Sequence, residues 1–228
     1  MAAPIVLVGT GTSVGKTYVG ERLLRVLAAK GYAAVGYKPI ESGFSSDSGD
    51  SDIARLSRAS SFHVKPPLKS LTFLDPVSPH LAARREGKTI LLDAIRDEVQ
   101  RASASPADAL LVELPGGAFS PVTESTCCAE LAKSFKGARI ILVAPDRLGV
   151  LHDLGATTRG CAAIGLPLLG IILNAPADPD AATGTNAMEL HHVTTTPLLA
   201  SLGRAAVDSS LAADPLVSLA QRLLSLPG

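Results

Sequence analysis

The chain has few aromatic residues, few cysteines and no excess of charge of either sign. Of its 228 residues 4% are aromatic and none is tryptophan. Few side chains can therefore stack on a nucleobase, which would have to be recognised through hydrogen bonds to its edge. Lys+Arg and Asp+Glu both number 21, which excludes a global field that attracts nucleic acid or anionic lipid. Three cysteines, the lack of an N-terminal signal segment and the lack of an apolar run near ~20 residues predict a cytoplasmic protein without a membrane partner.

One stretch near the N-terminus, IVLVGTGTSVGKT at residues 5–17, has the pattern of a phosphate-binding loop. Its apolar start predicts a buried strand, and the residues from Lys16 onward predict a helix. Three glycines lie between them, so backbone N–H groups, the helix N-terminus and the Lys16 charge can surround an anion. The spacing is a variant, because Thr10 stands where a standard P-loop has its first glycine. A strand–turn–helix with an exposed lysine is the alternative, but the three glycines favour a nucleoside triphosphate site in which the Thr17 hydroxyl binds Mg²⁺.

Strand and helix patterns alternate along the whole chain. The hydrophobic fraction of 46% consists mainly of Ala, Val, Leu and Ile, which usually fill the space between helices and a parallel sheet. We therefore predict one α/β domain, residues 1–228, with a doubly wound, mostly parallel sheet of the P-loop NTPase type. Ligands of such folds bind at the carboxyl ends of the strands.

Two charged residues lie at predicted strand ends. Lys38 follows a strand at residues 33–37 and precedes a proline, so its ammonium either points over the crevice beside Lys16 or is solvated. Glu113 ends a strand at residues 109–112 and precedes a glycine pair. A carboxylate there can contact Mg²⁺ beside a P-loop, and the alternative is an acid that faces water.

Asp52 and Asn174 are further candidates. Asp52 follows a loop rich in Ser, Gly and Asp at residues 41–51 and begins a predicted helix. It is either an ordinary N-cap or, as a second acid beside Glu113, a Mg²⁺ ligand. Asn174 ends a predicted strand at residues 169–173. Its amide offers a donor and an acceptor that fit the edge of adenine, although Asn is also a common turn residue.

The motifs GTGTSVGKT, KPIESG, GDSD, VELPGG and ILNA occur in this order, and with them the chain resembles the dethiobiotin synthetases over residues 5–203. These enzymes are ATP-dependent cyclases of biotin synthesis. The resemblance implies that 7,8-diaminononanoate, CO₂ and ATP are the substrates and that Mg²⁺ is the cofactor. It also implies a carbamate and then a carbamic-phosphoric anhydride on the way to the cyclic urea.

The resemblance also implies roles for individual residues. The side chains that would hold the carbamate are Thr12, Lys16 and Lys38. The two lysines would act as electrostatic clamps, and no side chain is assigned as general base. The implied nucleotide-binding set is Gly11, Thr12, Ser13, Val14, Gly15, Lys16, Thr17, Tyr18, Glu113 and Asn174, and the implied Mg²⁺ set is Thr17, Asp52 and Glu113. The implied substrate-binding set is Thr12, Lys38, Ser42, Leu148, Gly149, Val150 and Leu151. The last four form a loop that would receive the substrate carboxylate across the interface of a homodimer.

The chain departs from the family pattern at three places. ELPGG at residues 113–117 replaces the usual EGAGG, and RAA at residues 204–206 lacks a proline. In LGVLHD at residues 148–153, His152 and Asp153 stand where the family commonly has Asn and His. A related P-loop ligase with another substrate is one alternative function. A dimeric nucleotide switch of the partition or septum-placement type is another, although such proteins usually have an additional lysine early in the loop, where this chain has TGTS at residues 10–13.

Overall fold

The computed structural model describes residues 2–44, 50–203 and 214–225, and strands and helices alternate through these ranges. The first half contains β1 (Pro4–Gly9), α1 (Lys16–Ala29), β2 (Ala34–Tyr37), β3 (Ile40–Ser42), α2 (Asp52–Ala59), β4 (Leu71–Phe73), α3 (Pro79–Arg85), α4 (Leu92–Ser103) and β5 (Ala109–Glu113). The second half contains α5 (Cys128–Lys133), β6 (Arg139–Pro145), α6 (Val150–Ala163), β7 (Leu168–Asn174), α7 (Asn186–Glu189), a 3₁₀ turn (Leu190–His192), β8 (Leu198–Leu202) and α8 (Leu216–Ser225).

Six strands form one sheet in the order β2-β5-β1-β6-β7-β8, and neighbouring strands are parallel throughout. The chain leaves β1 toward β2 on one side and later adds β6 on the other. This topology confirms the predicted doubly wound α/β fold, and the sheet with its helices forms a single domain. A second sheet pairs β3 with β4, also in parallel. Neither strand was predicted, because each has only three residues. β3 overlaps the loop that we expected at residues 41–51, and β4 lies in the proline-rich segment at residues 65–79, which we expected to be irregular.

Alternate residues of the central strands pack against two helix layers. In β1, Val6 and Val8 join a core with α3, α4, α5 and α6, whereas Ile5 and Leu7 join a core with α1, α2 and α8. Burial on both faces explains why these strands appear in the sequence as continuous apolar runs. Since all six strands are parallel, their carboxyl ends lie at one edge of the sheet, which is where the predicted site residues follow.

No helix in the described ranges has both the length and the apolar character of a membrane span. Two stretches that entered the predictions are outside the described residues. They are residues 45–49 of the predicted loop and residues 204–206, the RAA sequence.

Candidate active site

The loop between β1 and α1 has the backbone that a phosphate cradle requires. Ser13 and Gly15 both have positive φ, 57° and 89°, which turns the chain back on itself before Lys16 begins α1. Gly9 is needed for a different reason, because a Cβ there would lie 2.8 Å from the Gly11 carbonyl oxygen and 3.1 Å from Lys16 Nζ. Gly9, one residue before the variant position Thr10, therefore makes room for the Gly11 carbonyl and for the Lys16 ammonium.

Lys16 is buried and bonded to two backbone carbonyls. Its Nζ donates to the Gly116 oxygen at 2.6 Å and to the Gly11 oxygen at 3.2 Å. Burial lowers the pKa of Lys16 below its usual value, although the charge of Glu113 opposes the effect. Both partners are neutral carbonyls, so an anion that entered the loop would be the first negatively charged group to bond this ammonium directly.

Lys38 lies between two carboxylates. Its Nζ donates to Glu113 Oε1 at 2.8 Å and makes a short bond to Asp52 Oδ2. The side chain is only 7% exposed, so the alternative of a solvated lysine is wrong. Burial lowers the pKa of Lys38, but the charges of Glu113 and Asp52 outweigh burial and the pKa is raised.

Glu113 is the most deeply buried charge of the group. It is the last residue of β5 and is 1% exposed, so the alternative of an acid that faces water is also wrong. Its Oε1 accepts bonds from Thr17 Oγ1 at 2.9 Å and from Lys38, whereas its Oε2 is buried without a hydrogen-bond partner among the described residues. A buried carboxylate oxygen without a partner is costly, and a bound cation or donor would remove that cost.

The predicted Mg²⁺ set fits a hard cation. Asp52 and Glu113 supply carboxylate oxygens and Thr17 supplies a hydroxyl, which are the oxygen donors that Mg²⁺ takes together with phosphates and water. Glu113 Oε2 is the acceptor left over in this set. The described residues contain no cluster of three or more His, Cys, Asp or Glu side chains suited to a metal.

The structure excludes one of the two interpretations of Asp52. Asp52 is the first residue of α2, and the N-cap is Ser51, whose side chain accepts from the Ala54 N–H at 3.1 Å. The N-cap alternative is therefore wrong. The carboxylate is directed to Lys38, and Arg55 approaches its other oxygen at 3.8 Å. Burial raises the pKa of Asp52, but Lys38 outweighs burial and the pKa is lowered.

Most of the predicted residues line one cavity of about 730 Å³. The side of this cavity formed by the loop comprises residues 12–18, and Lys38, Ser42, Asp52, Glu113 and Asn174 complete the predicted part. Among the described residues that line it, neither Gly11 nor residues 148–151 occur. Sequence reasoning missed Glu41, Arg55 and the wall formed by Pro76, Val77, Ser78 and Pro79. The only available signal for the wall was the density of prolines in a segment expected to be irregular.

Asn174 and Ser42 each offer a buried polar atom to this cavity. Asn174 Nδ2 donates to the Val14 carbonyl at 3.2 Å, which leaves Oδ1 buried and without a partner in the described part of the chain. The amide also packs against Gly15, where an added Cβ would lie 2.1 Å from Nδ2. Ser42 Oγ is likewise buried and unpartnered among the residues described. Their proposed ligands, adenine and the diamine, stay predictions.

The ELPGG turn closes the cavity beside Lys16. Leu114 is fully buried in the core, and the Pro115 carbonyl accepts from Cys128 Sγ at 3.0 Å. Gly116 has a φ of 61°, and a Cβ on Gly117 would come within 3.2 Å of Gly11 Cα. Leu114 therefore packs in the core and Pro115 lines the cavity, while the two glycines meet the P-loop.

The loop at residues 148–151 lies apart from the other predicted residues. Leu148 is 75% exposed, and Gly149, with a φ of 89°, is the N-cap of α6. The Leu148 N–H donates to Asp180 Oδ2 at 2.8 Å, and Arg147 pairs with Asp153 at 3.0 Å. This loop is fixed by its neighbours: Leu148 is exposed, whereas Val150 is buried in the core.

Comparison with known proteins places the chain in a family. The model of the AAA domain family matches residues 4–207. The ATP-dependent dethiobiotin synthetase of Ralstonia nicotianae is 37% identical over 203 residues, which cover 84% of this chain and 87% of that protein. The synthetases of Rhodopirellula baltica and Salmonella typhi are 31% and 34% identical, and the matches cover 89% and 90% of this chain and 84% and 91% of those proteins.

A ParA family ATPase from Chlorobium tepidum has a similar structure, with a TM-score of 0.61. It is 15% identical, and the alignment covers 99% of this chain and 100% of that one, so it supports the fold alone. The variant loop, the strand-end lysine and the strand-end acid thus occur together in a chain that is similar to curated ligases over most of its length. On these matches, the chain belongs to the ATP-dependent dethiobiotin synthetase family of enzymes.

Proposed function

We propose that this protein closes the ring of dethiobiotin from 7,8-diaminononanoate, CO₂ and ATP. The observation that carries the proposal is the convergence of Lys16 and Lys38 on one cavity that also contains Thr17, Asp52 and Glu113. Two ammonium groups can offset the negative charge of a carbamate and of a transferring phosphoryl group at the same place. Membership of the family supports the same substrates.

In the proposed reaction, one amine of the substrate adds to CO₂ and forms a carbamate, which Thr12 and Lys38 hold. A carbamate oxygen attacks the γ-phosphorus of ATP, ADP leaves, and a carbamic-phosphoric anhydride forms. The second amine then attacks the carbonyl carbon and inorganic phosphate leaves. Ring closure is favoured because both amines are on one short chain and react at high effective concentration.

We propose that the nucleotide is held by the P-loop and by Asn174. Lys16 exchanges its carbonyl partners for phosphate oxygens, and the unpartnered Asn174 Oδ1 accepts from the amino group at the edge of adenine. Thr17, Asp52 and Glu113 would hold Mg²⁺. When bound, this ion neutralises charge on the phosphates during transfer.

We further propose that the enzyme works as a homodimer. The loop at residues 148–151 is not among the described residues that line the cavity of its own chain, and Leu148 is 75% exposed. A partner chain could bring this loop to the far end of the substrate. The helix start at residue 150 suits a carboxylate, because its N–H groups and dipole favour an anion.

The test is to incubate the purified protein with ATP, Mg²⁺, bicarbonate and 7,8-diaminononanoate and to follow products by mass spectrometry. We expect a product that contains one added carbonyl, with one ADP and one phosphate for each ring. ATP loss that does not depend on the diamine would contradict the proposal and favour a nucleotide switch. Product formation only with another diamine or carboxylate would favour the related ligase.

A further inference from the structure

Glu41 makes an unusual contact at the edge of the proposed site. It lies in β3, within the KPIESG motif, and is 8% exposed. Its two carboxylate oxygens accept from two consecutive backbone N–H groups at the start of α2, those of Asp52 at 2.8 Å and Ile53 at 3.0 Å. Both oxygens are therefore engaged by a helix that begins 11 residues later in the chain.

These bonds complete the N-terminus of α2. The first N–H groups of a helix have no partner inside the helix, and an ordinary N-cap satisfies only one or two of them. Here Ser51 accepts from the Ala54 N–H, and Glu41 accepts from the two groups before it. The negative charge of Glu41 also suits the positive end of the helix dipole.

The same short segment that contains Glu41 also contains Lys38. Lys38 bonds the Asp52 carboxylate, and Glu41 bonds the Asp52 backbone N–H. The first residue of α2 is thus held twice from one segment, once by its side chain and once by its main chain. A shift of α2 along its axis would break both contacts.

We propose that Glu41 is a positioning residue for the reaction proposed above. It fixes the first turn of α2 and so holds the Asp52 carboxylate against Lys38 at the mouth of the phosphate site. The inference rests on the proposed function for the role of Asp52, but the hydrogen bonds of Glu41 can be measured without it.

Glu41 also lines the cavity, so a direct chemical role is the competing explanation. The geometry argues against it, because both carboxylate oxygens are already engaged by main-chain N–H groups of α2. The two explanations predict different results for the exchange of backbone hydrogens.

The test compares Glu41→Ala and Glu41→Gln with Ser51→Ala as the matched control. Ser51→Ala removes the neighbouring cap of the same helix and leaves the Asp52 and Ile53 N–H bonds in place. Amide hydrogen exchange is measured by NMR on the ligand-free protein, and kcat and KM are measured for ring closure. Melting temperatures of all variants show whether each one is folded.

We expect Glu41→Ala to accelerate exchange at residues 52 and 53 and to lower kcat by about 10-fold or more, as removal of supporting bonds around a ligand usually does. Glu41→Gln keeps one acceptor oxygen and should fall between Glu41→Ala and the wild type. Ser51→Ala should accelerate exchange at residue 54 and leave kcat within about twofold of the wild type, even if its melting temperature falls as far as that of Glu41→Ala.

Three outcomes would overturn the proposal. Full activity in Glu41→Ala would remove its positioning role. Equal loss of kcat in Glu41→Ala and Ser51→Ala would mean that Glu41 contributes only to the general stability of α2. Loss of kcat with unchanged exchange at residues 52 and 53 would assign Glu41 to the chemistry instead. Failure of the proposed function appears separately, as a wild-type protein that makes no dethiobiotin, and the exchange rates still decide whether Glu41 holds α2.

Discussion

Two regions of the proposed site differ in burial. One is the phosphate end, which comprises the P-loop with Lys38, Asp52 and Glu113, and the other is the loop at residues 148–151. At the phosphate end Lys38 and Glu113 are almost fully buried and bond each other at 2.8 Å. At the loop Leu148 is 75% exposed, and no residue from 148 to 151 is among the described residues that line the cavity. The buried charges of the first region are paired within one chain, whereas the second region lies outside the cavity that the described residues form.

This difference has a physical reason. Buried charges need permanent partners, because a lysine or glutamate left alone in a protein interior loses its hydration without compensation. The charged residues must therefore be arranged by a single folded chain before any ligand binds. The exposed apolar side chain of Leu148 carries no such cost, so the loop does not need a partner for it within one chain.

Replacing Lys38 by Ala tests the phosphate end most severely. We expect ring closure to fall by about 10³-fold, because one of the two buried ammonium groups proposed to offset the charge of the transferring phosphoryl group is lost. Nucleotide binding should persist in part, since Lys16 and the P-loop stay in place. Mass-spectrometric product formation and ATP binding by calorimetry measure the two effects.

The control for this variant is Lys136→Ala, at an exposed position on the surface. It should match the wild type in both measurements. Unchanged turnover in Lys38→Ala would remove Lys38 from the site, and with it the view that the phosphate end is complete in one chain.

Glu113→Gln tests whether the unpartnered oxygen at the phosphate end serves a cation. Glutamine keeps the size of the side chain and one acceptor for Thr17. We expect the apparent affinity for Mg²⁺ to fall by roughly 10- to 100-fold, a range seen when groups around a bound metal are altered. Calorimetric titration of ADP with and without Mg²⁺ reports the change without turnover, and Glu124→Gln, at a 67% exposed position, is the control. Equal Mg²⁺ dependence in both variants would contradict the assignment.

The sequence predicted the regions of the site that depend on local pattern. Continuous apolar runs identified the strands that are buried on both faces, and Lys38, Glu113 and Asn174 were found because a polar residue directly follows or ends such a run. The P-loop was found because glycine, lysine and threonine occur there at close spacing.

The contacts that the sequence did not reveal all depend on tertiary packing. Ser51 and Asp52 are both good N-cap residues, so local preference could not tell which of them caps α2. The bonds from Glu41 to α2 exist only because α2 docks beside β3, and the wall at residues 76–79 exists only because β4 pairs with β3. A strand of only three residues has too short a sequence pattern to predict the pairing of β3 with β4.

Leu148→Glu tests the other half of the comparison. An acidic side chain on the exposed loop should repel the carboxylate of the substrate and disturb a dimer contact, so we expect KM for the diamine to rise about 10-fold while kcat changes little. Leu91→Glu is the matched control, since Leu91 is 62% exposed on another part of the surface.

Sedimentation of both leucine variants shows whether the oligomeric state changes with KM. An unchanged KM and an unchanged oligomeric state in Leu148→Glu would mean that the loop contacts neither substrate nor partner. The phosphate end would then be the whole site.

Asp52→Asn tests the smallest effect, the stability that the ion pair between Asp52 and Lys38 adds to the folded protein. The pKa of Asp52 is lowered, so its ion pair with Lys38 stabilises the folded state above the usual aspartate pKa of about 3.9 and is lost as pH falls through the lowered pKa. The Asp52 side chain is 34% exposed, and solvent screening limits the expected loss at pH 7 to about 0.5–1 kcal/mol. Urea unfolding from pH 7 down to pH 3 should show the wild type and the variant converging in acid. If the difference in the free energy of unfolding between the wild type and Asp52→Asn stays constant or grows at low pH, the charge of the Asp52 carboxylate contributes no stability, and its role is limited to ligand binding.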